Sequence, residues 1–450
     1  MIKITKFGGS SVADAEHFKK IKGIIDADPA RRFVVVSACG RRFSGDSKVT
    51  DLLYLVDAHV NYHVSCDDLL ADIGQRYFDI ADELGLSYPI REEFSAFAER
   101  AIKGGYTTEE LVSRGEYFTA RLMAEYLGLP FIDATDMVAF HHDGTLSMKR
   151  TAELVKKNAR EGGFVMPGFY GATKEGKVKL LDRGGGDISG SILAQCLEAD
   201  LYENWTDVSG FLSADPRIVE GAQPIPRITY EELRELSYMG ASVLHEDAVF
   251  PLREKNIPIQ VLNTNRPQDP GTIVRDKIPA DPTAPLVTGI AGMKDFVSIE
   301  ISKKNMSNRV GFVREVLSIL ESYNVSVEHL PSGIDSFSVV VAKADVKQNV
   351  YEIIARIQEA MKPDSIRLTE PFALIATVGR NMNSRPGTSG RLFAALGKAG
   401  INVRMIAQGS AELNIIVGVE NKDFNRAVAA LYETFAAEAD EVKAQQVQNA

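Results

Sequence analysis

Short apolar runs alternate with amphipathic stretches over the first two-thirds of the chain. Ile2 and Ile4 frame a short strand, and Asp14 to Ile25 places Phe18, Ile21, Ile24 and Ile25 at the three-to-four-residue spacing of a helix. Phe33 is followed by Val34, Val35 and Val36, the pattern of a strand covered on both faces. Residues 50–130 read as mostly helical and end at Leu127-Gly128-Leu129-Pro130, after which short strands are expected at Phe131-Ile132, Phe164 to Met166 and Val178 to Leu181. Helices alternating with buried strands predict an α/β fold, three layers deep, around a mostly parallel sheet.

A Pro-rich stretch from Pro279 to Pro285 marks a boundary, and beyond it the chain repeats itself. Asn305-Met306 recurs as Asn381-Met382 and Arg309-Val310-Gly311 as Arg385-Pro386-Gly387, both displaced by 76 residues. At the same displacement Leu317 and Leu320 on a helix answer to Phe393 and Leu396, and a following strand at Val325 to Val327 answers to Ile401 to Val403. A second strand closes each copy, at Phe337 to Val341 and at Leu413 to Val419. The expected division is a first domain over residues 1–285 and two α+β units of βαββ type over 291–365 and 366–450, with insertion of one unit in the other left open.

Composition narrows the classes. With 450 residues, 45% apolar and 25% charged, the chain reads as a multidomain globular protein. A net charge of −10 leaves no excess cations for nucleic acid. Cys39, Cys66 and Cys196 lie far apart without ligand spacing, which predicts free thiols and no metal site. No apolar run has the length of a membrane span, and a strand-like start at Ile2-Lys3-Ile4 leaves no room for a leader, so a cytoplasmic location is expected.

Two glycine-rich corners carry the chemistry. Lys6-Phe7-Gly8-Gly9-Ser10-Ser11 joins the first strand to the first helix: the glycines let backbone approach a ligand closely, helix-start N–H groups bind anions, and Lys6 adds a point charge. Arg183-Gly184-Gly185-Gly186-Asp187 repeats the arrangement, with Arg183 suited to gripping a carboxylate and Asp187 free to cap the helix or to orient Lys6. A phosphoryl donor and an anionic acceptor need separate cradles, and one α/β domain here holds two. Thr206, Asp207 and Arg217 sit in a polar loop that could hold a nucleotide. Ser113 to Glu116 is read as opening a helix that runs to Tyr126, where Glu116 would ordinarily be a surface residue complementing the helix dipole. His141-His142-Asp143 is read as a loop.

These segments together resemble the aspartate kinases of the amino-acid kinase family. The matches run in family order from Lys6 to Val12 through Val35 to Ala38, Ser113 to Glu116, Arg183 to Asp187, Trp205 to Gly210, Asp215 to Arg217 and Gly240 to His245. The C-terminal repeat resembles paired ACT domains. The resemblance implies ATP, carried with Mg²⁺, at Lys6, Gly8, Gly9, Ser10, Thr206, Asp207 and Arg217, and L-aspartate at Thr50, Glu116, Arg183 and Gly184. Lys6 and Asp187 would be the catalytic pair. It further implies lysine and/or threonine as effector, with Met306, Ser326, Val327 and Glu328 as contacts, and a homodimer or tetramer formed through the ACT units. Three positions depart from the family pattern: Gly186 replaces a Ser, Ser242 a Lys, and Leu212 an aromatic residue. The rival expectations are another amino-acid kinase, of the glutamate type, and a non-catalytic amino-acid sensor.

Overall fold

The computed structural model describes residues 1–182, 184–241, 244, 248, 250–279, 285–382 and 385–449, with side chains to residue 436. The chain forms two compact units. One comprises Met1–Phe211, Pro224–Glu231 and Val243–Ile278, the other Leu212–Gln223, Glu232–Ser242 and Pro279–Ala450.

The first unit is an α/β layer structure built on strands β1 (Lys3–Phe7), β2 (Phe33–Val36), β3 (Phe164–Pro167), β6 (Leu201–Thr206), β7 (Arg227–Thr229), β8 (Ile259–Asn263) and β9 (Thr272–Arg275), with β4 (Tyr170–Ala172) and β5 (Val178–Leu180) paired apart from them. The sheet order is β3-β2-β1-β6-β8-β9-β7. From β3 to β8 every pairing is parallel, and only β9 runs against β8. The valines of β2 are fully buried, as a doubly covered parallel strand requires. The run at Val178, expected in the sheet, forms a separate antiparallel hairpin with β4 instead, and Phe131 contributes only an isolated bridge to Val165.

Four helices, Val49–Asn61, Asp67–Leu84, Ile90–Ile102 and Thr108–Leu127, fill the connection between β2 and β3 and pack an aromatic core of Tyr77, Phe94, Phe97 and Phe118. The last of them starts at Thr108, not at Ser113. Thr107 caps it, accepting from the Glu110 N–H while the Glu110 carboxylate accepts from the Thr107 N–H. That reciprocal cap moves Glu116 from an expected first turn to the buried middle of the helix.

The central strands are tied by one buried carboxylate. Glu203 on β6 is fully buried and accepts from Lys3 Nζ at 3.1 Å, Arg31 Nε at 2.8 Å and Trp205 Nε1 at 2.9 Å. Arg31 also lies over the Trp205 ring, which stacks on Phe7.

The second unit is an antiparallel sheet of β10 (Gly289–Ser302), β11 (Ser336–Ala342), β12 (Ser365–Leu368), β13 (Phe372–Val378), β14 (Met405–Ala407) and β15 (Asn414–Glu420), ordered β11-β10-β13-β15-β14 with β12 also on β10. Two cores form on it. One gathers Val297 to Met361. The other joins Leu286 and Ile290 to residues from Ala373 to Phe435. The first half of β10 therefore pairs with β13 in the second core, while its second half pairs with β11 and β12 in the first. The repeat helices begin at Phe312 and Thr388, each after a glycine at positive φ, keeping the 76-residue displacement. The strand expected at Val325 to Val327 is absent, reduced to a bridge between His329 and Val340, and its counterpart lies later, at β14. Two segments before the expected boundary at 285 join this unit: Ser213 of the first accepts the Ile290 N–H, and Glu232 of the second, fully buried, accepts from Thr288 Oγ1, the Arg380 N–H and the Arg380 guanidinium.

Removing one partner of a buried charge network strands the others in low dielectric. Glu203→Ala should lower the unfolding free energy of the first unit by about 3–5 kcal/mol, measured by denaturant titration. A loss under about 1 kcal/mol would mean that water replaces the carboxylate.

Candidate active site

The order β3-β2-β1-β6-β8 reverses direction between β1 and β6, the crevice at which open parallel sheets bind ligands beyond their carboxyl ends. A cavity of about 1170 Å³ opens there. Its floor is set by strand register. Lys6, the penultimate residue of β1, stands beside Asn204 of β6. Lys6 Nζ lies 2.6 Å from Asp187 Oδ1, and Asn204 Nδ2 donates to the same oxygen at 2.9 Å. Asp187 is held from behind as well, since Tyr202 donates its hydroxyl to the Asp187 carbonyl at 3.1 Å. Asp187 lies in the first turn of helix Gly185–Cys196, so it complements the helix dipole while aiming at Lys6.

Around this pair the cavity collects residues distant in sequence. Lys6, Gly8, Gly9 and Ser10 form one wall, with Thr206 and Asp207 beyond them. Thr50, Glu116, Gly184 and Asp187 line the other side. Arg183 lies outside the described residues. Arg217, expected at the nucleotide, falls in the second unit, stands in solvent and is bound by its two-residue neighbour Asp215.

Glu116 is the unusual group. Its Oε2 is buried without a hydrogen-bond partner. Burial pushes its carboxyl up to about 8, although the Ala38 N–H and the Arg114 charge pull the other way. A neutral carboxyl with an unsatisfied oxygen, walled into a polar cavity, is prepared for a cationic ligand group.

Sequence reasoning missed Asn204, whose only signal was its place one residue before the Trp205-Thr206-Asp207 motif. It also missed Ser37, Arg41 and Lys48, all on the cavity wall. Ser37 follows directly on the buried strand β2, which is where ligand-facing residues of a parallel sheet collect.

The candidate effector residues differ in their surroundings. Ser326 and Val327 line an open depression with Arg314 and Leu317. Met306 is buried in the core below, and Glu328 accepts from Tyr238 Oη.

Residues 1–263 match the model of the amino acid kinase family, and residues 375–435 that of the ACT domain. Aspartokinase 3 of Bacillus subtilis is 37% identical to this chain across 96% of it and 98% of the relative. The chain belongs to the aspartokinases of the amino acid kinase family. Aspartate kinase of Clostridium acetobutylicum superposes with a TM-score of 0.92 at 46% identity, covering 96% of this chain and all of the other. Aspartokinase III of E. coli, solved with aspartate and ADP and again with lysine and aspartate, superposes at 0.76 with 26% and 27% identity, over 96% of this chain and 99% of the other.

Of the three departures from the aspartokinase pattern, Gly186 lies on the cavity wall, where a Cβ would come within 2.8 Å of the Ser37 hydroxyl oxygen. Leu212 falls in the second unit and Ser242 outside the described residues.

The raised Glu116 carboxyl has a stability consequence. The folded chain keeps a proton that the unfolded chain releases near its ordinary value of 4.5, so this contribution is full below that pH and is lost as pH rises through about 8. In ligand-free protein Glu116→Gln should therefore gain stability relative to the parent between pH 5 and 9, followed by thermal melts. A difference that stays flat with pH would contradict the assignment.

Proposed function

We propose that the chain transfers the γ-phosphoryl group of MgATP to the β-carboxylate of L-aspartate, giving 4-phospho-L-aspartate and ADP. The observation that carries this is the pairing, in one cavity, of a cation-and-glycine wall with an orphaned buried carboxyl. Lys6, Gly8, Gly9 and Ser10 hold phosphates, with Thr206 and Asp207 at the remainder of the nucleotide. Glu116 and Thr50 receive the amino end of aspartate, while Gly184 and Arg183 take its α-carboxylate. Asp187, itself set by Asn204, orients Lys6.

A β-carboxylate with an ordinary pKa near 4 is ionised at pH 7, so no general base is needed. The obstacle is bringing one anion against another. Catalysis is then positioning and electrostatic stabilisation of charge on the transferring group. The magnesium ion arrives with the nucleotide and offsets charge on its phosphate oxygens; among the described residues no cluster of three or more metal-ligating side chains offers a protein-only cage.

The reaction is read as the first step towards lysine, threonine and methionine. The second unit is read as the regulatory part, assembling as a dimer or tetramer and taking lysine as effector, with threonine the rival. Support comes from the ACT match, from the lysine held by the E. coli relative and from the allosteric character ascribed to the C. acetobutylicum enzyme. Ser326 and Val327, the two effector candidates on an open surface, would contact it.

Hydroxamate formation with ATP should appear with aspartate and be absent with glutamate or UMP. Lys6→Met should lower kcat by roughly 10²-fold or more, and near-normal turnover would remove Lys6 from the mechanism. Lysine should inhibit the full-length protein and release heat on binding in calorimetry; a response to threonine alone would reassign the effector.

A further inference from the structure

The segment between β2 and helix Val49–Asn61 is more than a connection. It is pinned at three levels. At its start the Gly40 N–H donates to the Gly9 carbonyl at 2.9 Å, and a Cβ on Gly40 would come within 2.5 Å of the Gly9 carbonyl carbon. The loop is thus registered against the phosphate-binding corner by backbone contact that only glycine permits. At its end the Val49 N–H closes back on the Cys39 carbonyl at 3.1 Å. Between these points the guanidinium of Arg76, 2% exposed, reaches in from the helix behind. It donates to the Ser47 carbonyl at 2.9 Å, the Gly40 carbonyl at 3.4 Å and Asp46 Oδ1 at 2.7 Å. Asp46 in turn receives the backbone N–H and guanidinium of Arg42.

A loop held this firmly presents two cations to the cavity. Arg41 follows the Gly40 contact directly, and Lys48 lies two residues before Thr50; both line the cavity, and both side chains are exposed. Neither side chain makes a hydrogen bond or ion pair with another described residue. Lys6, by contrast, is already matched by Asp187. The uncommitted positive charge of the described wall therefore sits on this loop, between the phosphate corner and the acceptor side. The transferring phosphoryl group spreads negative charge over three oxygens at that junction.

We propose that residues 40–48 form an anion clamp in which Arg41 and Lys48 grip the terminal phosphate of the bound nucleotide, with Arg76 as the positioning residue that sets the loop. The clamp rests on the phosphotransfer reading above and adds to it the source of charge stabilisation. Arg76 touches no substrate; it acts only by fixing where Arg41 and Lys48 stand.

The test uses the full-length protein. Arg41→Gln with Lys48→Gln should leave the melting temperature unchanged, because both residues are exposed, and lower kcat by about 10²-fold. Calorimetry separates this from the choice of acceptor. The double variant should bind a non-hydrolysable ATP analogue about tenfold more weakly than the parent while ADP affinity changes little. If the parent phosphorylates no aspartate but the analogue-against-ADP difference is present, the acceptor reading fails and the clamp stands. Equal weakening of both nucleotides, or turnover within about twofold of the parent, overturns the clamp. For the positioning role, Arg76→Gln is combined with Asp46→Asn so that no buried charge is left alone. This pair should lower kcat in the parent and have no further effect in the Arg41→Gln, Lys48→Gln background; additive losses would show a merely structural role.

Discussion

A buried ammonium needs a fixed counter-charge, and the geometry of this site follows from how Lys6 obtains one. Lys6 lies one residue from the end of the central strand, Asp187 lies in the first turn of a helix far along the chain, and Asn204 on the neighbouring strand donates to the carboxylate oxygen that Lys6 touches. The arrangement depends on β1 and β6 lying in register. That register is reinforced by Glu203, the residue next to Asn204 on β6, which gathers Lys3, Arg31 and Trp205 around one carboxylate. The Lys6–Asp187 pair and the core network are neighbouring parts of one strand contact.

The cavity beyond this pair is electrically divided. One wall offers glycine backbone and cations, as a polyphosphate requires. The other offers Glu116, kept protonated near neutral pH by its burial in the middle of a helix. A ligand ammonium placed there would draw the carboxyl into its charged form and satisfy its orphaned oxygen. On the proposed reading, selection for an amino-acid acceptor comes from this unpaired buried group, which penalises any ligand that leaves it unpaired.

The second unit shows how a sequence repeat can yield unequal parts. Both copies start their helix after a glycine at positive φ, at Gly311 and Gly387. Yet one long strand, β10, serves both, pairing with the second copy's β13 through its first half and with the first copy's β11 and β12 through the rest. The first copy thus sits between Ile290 and Phe372, within the chain of the second.

What the sequence determined by itself was local and chemical. The β-branched run at Val34 to Val36, the helix spacing of Phe18 to Ile25, the two glycine corners and the 76-residue repeat were all legible, because each is a matter of neighbouring residues. The Thr107–Glu110 capping box was legible too, and without it the helix start falls five residues late, at Ser113 instead of Thr108, which makes a buried acid look like a surface one. Only the tertiary structure decided which charges meet. Nothing along the chain says that Asn204 stands beside Lys6, that the Ser37 hydroxyl lies next to Gly186, or that Arg76 reaches the carbonyls of Gly40 and Ser47. Strand order and register bring those groups together, and these are settled by the packing of whole layers rather than by any local pattern. The glycine corner that begins at Lys6 is legible as a phosphate-binding pattern, whereas the burial of Glu116 and the pinning of the loop at residues 40–48 follow from tertiary packing alone.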